Sequence, residues 1–164
     1  MSRNRIMEAS YLDTGDGQTA AYALMGTGFT ALNEEPSAQV GTKKYINNKS
    51  ATNSIKGYEW KAPFEAEQIK EEAAVKFIMD IGKQQKTGPD AEADYVIVDL
   101  DEAVTGSDNT FNARKFKVAI EVASFGEDDG DMNMSGNLLG IGDPIPGTFN
   151  VSTKIFTATA DVTE

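Results

Sequence analysis

The chain has no cysteine and no histidine. Without thiolate or imidazole, zinc fingers, haem, iron–sulfur clusters and thiol chemistry lose their ligands or nucleophile. A Ser–His triad is excluded on the same ground. Carboxylates, lysines, tyrosines and hydroxyls remain for catalysis, and only oxygen-ligated metals fit. The lack of disulfide staples suits a cytosolic or virion setting. Basic residues are scarce, 15 against 26 acidic ones, for a net charge of −11. Such a surface repels phosphate and anionic lipid, which argues against tight binding of nucleic acid or docking on a membrane. No apolar run approaches the roughly 18 residues of a membrane span. The start, Met1-Ser2-Arg3-Asn4-Arg5-Ile6, has basic residues but no apolar stretch behind them, so it does not read as a signal peptide. Internal repeats and low-complexity stretches are also missing. What is present is 164 residues at 40% hydrophobic and 25% charged, enough for one globular domain over 1–164.

Residues 1–19 are polar and hold the turn-like Asp13-Thr14-Gly15-Asp16-Gly17, so they read as an N-terminal arm. Short strands are expected at 20–25 and near 28–32. Residues 39–56 read as a long hairpin loop, with Thr42 to Ile46 as one side, an Asn47-Asn48 turn and a return from about Ser50. Tyr58, Trp60, Ala62, Phe64 and Ala66 then alternate with charged residues, the period of a half-buried strand. Pro63 lacks an N–H and places this strand at an edge or a bulge. The spacing of Ile69, Ala73, Phe77 and Ile81, widened by Ala74 and Ile78, predicts one amphipathic helix over 68–83 lying on the outside of a sheet. Residues 94–100 read as a strand buried on both sides, and 101–109 as an acidic loop. Phe116, Val118, Ile120 and Val122 mark a long half-buried strand. Turns are expected at 126–131 and 142–147, a last strand through Phe149, Val151, Thr153 and Ile155, and a polar tail over 157–164. Seven or eight strands and one helix give a mainly β fold, two packed sheets or a barrel with a flanking helix.

Candidate chemistry is thin. Asp13-Thr14-Gly15 matches the short aspartic-protease signature, and Leu138-Leu139-Gly140 resembles the apolar element that supports such sites. However, Asp16 stands where a small residue is usual, and an ordinary turn explains the motif as well. Glu127-Asp128-Asp129-Gly130-Asp131 fails the EF-hand pattern, because position 12 counted from Asp128 is Leu139. It reads as a hairpin turn. The sequons at Asn48, Asn133 and Asn150 are read as chance. Lys43, Lys44, Lys49, Lys56 and Lys61 form the densest basic region of an acidic protein. They either meet an acidic patch on a neighbouring copy or lie on a solvated loop. Tyr58 and Trp60 read as core, with an interface anchor as the alternative.

The order of these parts resembles that of tail tube proteins, the major tail proteins of long-tailed bacteriophages. The stretch from Tyr45 to Thr52, followed by Ile55-Lys56-Gly57-Tyr58, is similar to major tail proteins from phages of Gram-positive bacteria, and the likeness spans about residues 20–160. The resemblance implies a β-sandwich with one flanking helix, a fold shared with the tubes of type VI secretion and of contractile particles. It implies six-membered rings that stack into a tube inside the virion tail, assembled in the host cytoplasm. DNA passes through the lumen, tape-measure protein fills it beforehand, and tail-tip and tail-terminator proteins bound it. Loops and arms lock successive rings. On this reading the protein is not an enzyme and needs no cofactor or metal, and the expected assembly residues are Lys43, Lys44, Tyr45 and Lys49 in the hairpin with Asp13 and Asp16 in the arm. A virion decoration protein or adhesin is the alternative, and a retropepsin-like protease a remote one.

Overall fold

The computed structural model of the protein describes residues 2–15 and 18–159. Ten strands and one α-helix follow in the order β1 Glu8–Asp13, β2 Tyr22–Leu24, β3 Phe29–Leu32, β4 Ala38–Lys43, β5 Thr52–Tyr58, β6 Lys61–Glu67, α1 Ala73–Lys83, β7 Glu92–Ala103, β8 Thr110–Asp128, β9 Asp131–Asn150 and β10 Ile155–Ala158. Eight strands form one sheet in the order β2-β1-β7-β8-β9-β6-β3, with β10 on the flank of β9, while β4 and β5 pair only with each other. Every pairing is antiparallel. The large sheet curls, so that Met25 donates its N–H to the carbonyl of Ser10 at 2.8 Å and Arg5 reaches the carbonyl of Leu32 at 3.4 Å. The fold is mainly β with one flanking helix, as the sequence predicts.

The β8–β9 hairpin is the spine. Its turn is two residues long, Asp129 and Gly130, both at positive φ (53° and 91°). That geometry suits the right-handed twist of paired strands and favours Asp-Gly. Two register shifts bend the pair, one between Lys115 and Lys117 and one between Val122 and Ser124.

The main core lies between the curled sheet and α1. Ala74, Val75, Ile78, Met79 and Ile81 of α1 are buried against it, together with Phe64, Tyr95, Ile97, Phe116, Val118 and Leu138. A second cluster sits on the other face of β7, where Val96 and Val98 pack with Tyr11, Tyr22, Ala113 and Phe149. Thus β7 is buried on both sides, and its uninterrupted apolar run has a structural reason.

Several expectations are corrected. The expected arm, 1–19, carries β1, which is inserted between β2 and β7. Tyr11 turns to Phe149 at 4.6 Å, and Leu12 enters the main core. Buried Ser10 accepts the Tyr95 hydroxyl at 3.0 Å, so a polar-looking segment is fully employed.

The helix starts at Ala73 instead of 68. Gln68 is still tied to β9, its backbone N–H to Met132 O at 3.0 Å and its side chain to Asn133 O at 2.9 Å, and a turn intervenes. Tyr58 and Trp60 do not share a strand. Tyr58 ends β5 and is exposed instead of core, while Trp60, partly buried against the core, sits at the junction before β6.

Residues 142–147 do not turn. The segment stays in β9 as a bulge, in which 142–144 stand opposite Phe116 and Gly142 takes φ 75°. Pro144 and Pro146 are tolerated because this flank of β9 falls between the stretches paired with β6 and with β10, where no ladder N–H is needed. Pro63 is expected at an edge or a bulge, but β6 is an interior strand between β9 and β3, and Pro63 pairs in register with Asn137. Its carbonyl accepts from Asn33 at 3.0 Å, just beyond the end of β3, so its missing N–H faces a place where pairing has run out. The expected last strand through 149–155 is interrupted: β9 ends at Asn150, whose Oδ1 accepts from Ser152 and Thr153 N–H in a turn over 151–154, and β10 begins at Ile155. Of the expected tail, Thr157 and Ala158 belong to β10, and 160–164 lie outside the described residues.

Candidate assembly interface

The β4–β5 hairpin stands apart from the large sheet. It is anchored where Glu35 and Lys61 exchange backbone hydrogen bonds at 2.8 and 3.0 Å and where Glu59 N–H meets Ser37 O at 3.1 Å. Beyond that, side-chain pairing is sparse, with Thr42 Oγ1 donating to Asn53 Oδ1 at 2.8 Å. Val40 and Ile55 pair across the two strands yet remain 60% and 56% exposed. A two-stranded hairpin of this kind is marginal on its own, and both its edges offer unpaired backbone groups.

The expected basic residues Lys43, Lys44 and Lys49 lie at or near the tip with Tyr45, all exposed. Lys43 Nζ stands 5.6 Å from the centre of the Tyr45 ring. The stem of Lys56 lies over Gly41, where a Cβ would collide with its Cε, so a side chain at 41 would displace it.

Asp13 is placed differently. It ends β1, and its Oδ1 accepts from Gly15 and Ala21 N–H, both at 2.9 Å, closing the link to β2. Its carboxylate is engaged within its own turn. Asp16 lies outside the described residues. Leu138 to Gly140 belong to β9, which two strands, β7 and β8, separate from β1. The apolar element therefore does not flank Asp13, and the protease-like constellation is not brought together.

A cluster at the hairpin base escaped the sequence. Glu34 accepts two bonds from Arg114 (2.8 and 3.1 Å) and one from Trp60 Nε1 (2.7 Å). Trp60 stacks on Phe116 with ring centres 4.1 Å apart. Burial opposes the charge on Glu34, but the bonds from Arg114 and Trp60 and the charge of Arg114 outweigh it and hold the carboxyl below its usual range. The bond to Glu34 correspondingly raises Arg114. The group frames a groove of about 420 Å³ with Tyr58 and Pro144.

At the N-terminal side, Arg3 forks onto Asp101 (2.9 and 3.0 Å) and Asp99 (3.1 Å), which lowers Asp101.

The face of β6–β9–β8–β7 turned away from α1 is divided: Val96, Val98, Ala113 and Phe149 give one end to the second core cluster, and the other end is largely polar. Strand alternation puts Glu65, Glu67, Asn137, Glu121, Lys117 and Asp94 there. Asn137 donates to Glu121 at 2.6 Å, and Lys117 approaches Glu92 at 4.0 Å. Among the described residues, no helix is long and apolar enough to cross a membrane.

No family model matches the sequence, and no curated protein matches it. Solved structures do. The tail tube of SPP1 superposes with a TM-score of 0.66 at 13% identity, over 88% of this chain and 78% of that one. A chain from the tail of an empty GTA particle superposes with a TM-score of 0.57 at 10% identity, over 87% of this chain and 97% of that one. The fold of this chain, a curled sheet with a flanking helix, is thus similar to that of the SPP1 tail tube.

Proposed function

We propose that the protein is a structural, non-enzymatic subunit of a phage-type tail tube, a major tail protein located in the virion tail. The observation that carries this reading is the likeness to the SPP1 tail tube over 88% of the chain. Three features of the molecule agree with it. The hairpin is unsupported in the single chain, which suits an element completed by a neighbour. Part of one face of the large sheet, away from the second core cluster, carries Glu65, Glu67 and Glu121, which suits a lumen that DNA crosses without sticking. The other face carries α1, which would lie on the outside.

In the proposed assembly, six copies form a ring and rings stack. The GTA tail was resolved with C6 symmetry, and the same ring size is carried over here as a proposal. A contact between unlike surfaces of identical subunits closes a ring when its rotation closes, and repeats as a filament when it does not. Tape-measure protein would occupy the lumen before DNA, with tail-tip and terminator proteins at the ends and assembly in the host cytoplasm. Lys43, Lys44, Tyr45 and Lys49 are the proposed hairpin contacts. Asp13, engaged in its own turn, would act by shaping the β1–β2 link. The test is whether the purified chain forms hollow filaments or stacked rings under the electron microscope. A decoration protein or adhesin would remain a monomer or trimer instead.

A further inference from the structure

The distribution of charge along β6 is lopsided. At its start the hairpin emerges, and residues 36–58 contain four lysines and no acidic residue. The rest of the chain therefore carries 11 plus 4, or 15, excess negative charges. Among the described residues, none of Lys43, Lys44, Lys49 and Lys56 has a carboxylate within ion-pair distance. At the other end of β6 lies a groove of about 550 Å³, walled by Glu65, Glu67, Asp128, Asp129 and Asp131. Its carboxylates have no ion pair among the described residues either, and Met132 on its wall is 52% exposed.

The strand sets the base of the hairpin about 20 Å from the Glu67 end of the groove, at roughly 3.3 Å per residue. The hairpin is fixed at the Lys61 end and the groove sits beside Glu67, so the two lie at opposite ends of one rigid strand. A hairpin anchored in that way is placed to meet the groove of a different molecule.

We propose that the basic hairpin docks in the acidic groove beside the β8–β9 turn of a second copy of this chain. The inference rests on the tube reading for its setting. Carboxylates crowded without a cation repel one another, and lysines from a neighbour relieve that repulsion. The apolar parts match as well, with exposed Tyr45 and Ile46 at the hairpin tip and Met132 in the groove. Because donor and acceptor surfaces differ and lie at opposite ends, the contact is head-to-tail. A docked pair keeps one free hairpin and one free groove at its ends, which is the condition for a filament that grows without limit.

The test uses the full chain, mixed in isotope-labelled and unlabelled forms and treated with a carbodiimide that joins a lysine to a carboxylate in direct contact. Cross-links between differently labelled chains are expected from Lys43, Lys44 or Lys49 to Asp128, Asp129, Asp131, Glu65 or Glu67. Intermolecular links from these lysines to other carboxylates, or none at all, would overturn the proposal. Charge reversal supplies a second measurement. Lys43→Glu with Lys44→Glu, and separately Asp129→Lys with Asp131→Lys, should each raise the concentration needed for assembly about tenfold or more, while mixing the two variants restores it. Asp108→Lys, in a remote loop, should have no comparable effect. Circular dichroism checks that each variant is folded. Filaments with cross-links elsewhere would sink the hairpin–groove contact and spare the tube; the stated cross-links without any filament would do the reverse.

Discussion

Glu34 joins three parts of the molecule that the chain order keeps apart. It follows β3, while Trp60 precedes β6 and Arg114 lies 80 residues away in β8. Replacing Glu34 with Ala leaves a half-buried guanidinium and an indole N–H without their acceptor, and about 1–3 kcal/mol of stability should be lost in urea unfolding. The sign of the pH dependence follows from the lowered carboxyl. The unfolded chain takes up the proton first as pH falls, at about pH 4.3. Stability from the pair is therefore full above that value and lost as pH drops through the lower folded value. The gap between wild type and Glu34→Gln should narrow from pH 7 to pH 3, and a constant gap would contradict the pairing. Nothing in the sequence distinguishes Glu34 from Glu35 beside it, because only the sheet register brings Arg114 to one and not the other. Asp13 shows the opposite case: a motif visible in sequence whose carboxylate serves its own turn. Asp13→Ala should cost about 1 kcal/mol and speed hydrogen exchange at Tyr22 to Leu24, whereas Asp13→Asn, which keeps an acceptor oxygen, should change little.

Elements with one clean period were legible. Ala62, Phe64 and Ala66 alternate and are buried in β6, and Phe116, Val118 and Ile120 do the same in β8. The Asp-Gly turn of the β8–β9 hairpin was legible for its chemistry. What escaped were elements defined by partners. β1 has too few apolar residues to announce itself and is a strand because β7 and β2 lie on either side of it. The 142–147 segment has turn-like composition but bulges in place, since β8 continues alongside. The face of α1 was only partly read: Ala74, Ile78 and Ile81 are buried as expected, but Val75 and Met79 join them, Ala73 is exposed, Phe77 is only partly buried, and Ile69 precedes the helix. The C-terminal end of α1 lies close against β8. A Cβ on Gly82 would come within 2.7 Å of Phe125 and 2.8 Å of Val122 in β8. Gly82→Ala should therefore lift the end of α1 from β8 and cost about 1–3 kcal/mol, read as a lower denaturant midpoint at unchanged slope. An unchanged midpoint would show that the helix is not held at that distance.

At the scale of the whole molecule, the fold class and the separate hairpin were both legible in the sequence, the first from strand count and the second from a polar, turn-rich stretch without core residues. The charge opposition along β6 was not, because Glu65, Glu67 and Asp128 to Asp131 converge only once β6 and β9 are paired. Reversing Lys43 and Lys44 to Glu should leave the monomer as stable as wild type, to within about 0.5 kcal/mol for exposed positions. It should slow or abolish polymerisation in a sedimentation assay, and tubes that form as readily as before would remove the hairpin from the contact.

The central claim, that this chain builds a tube from copies of itself, is tested most directly by negative-stain electron microscopy of the purified protein from dilute to concentrated, with sedimentation in parallel. Hollow filaments or stacked rings that appear as concentration rises are the expected result. A monomer or trimer at every concentration, unchanged when tail-tip complex is added as an initiator, would contradict it.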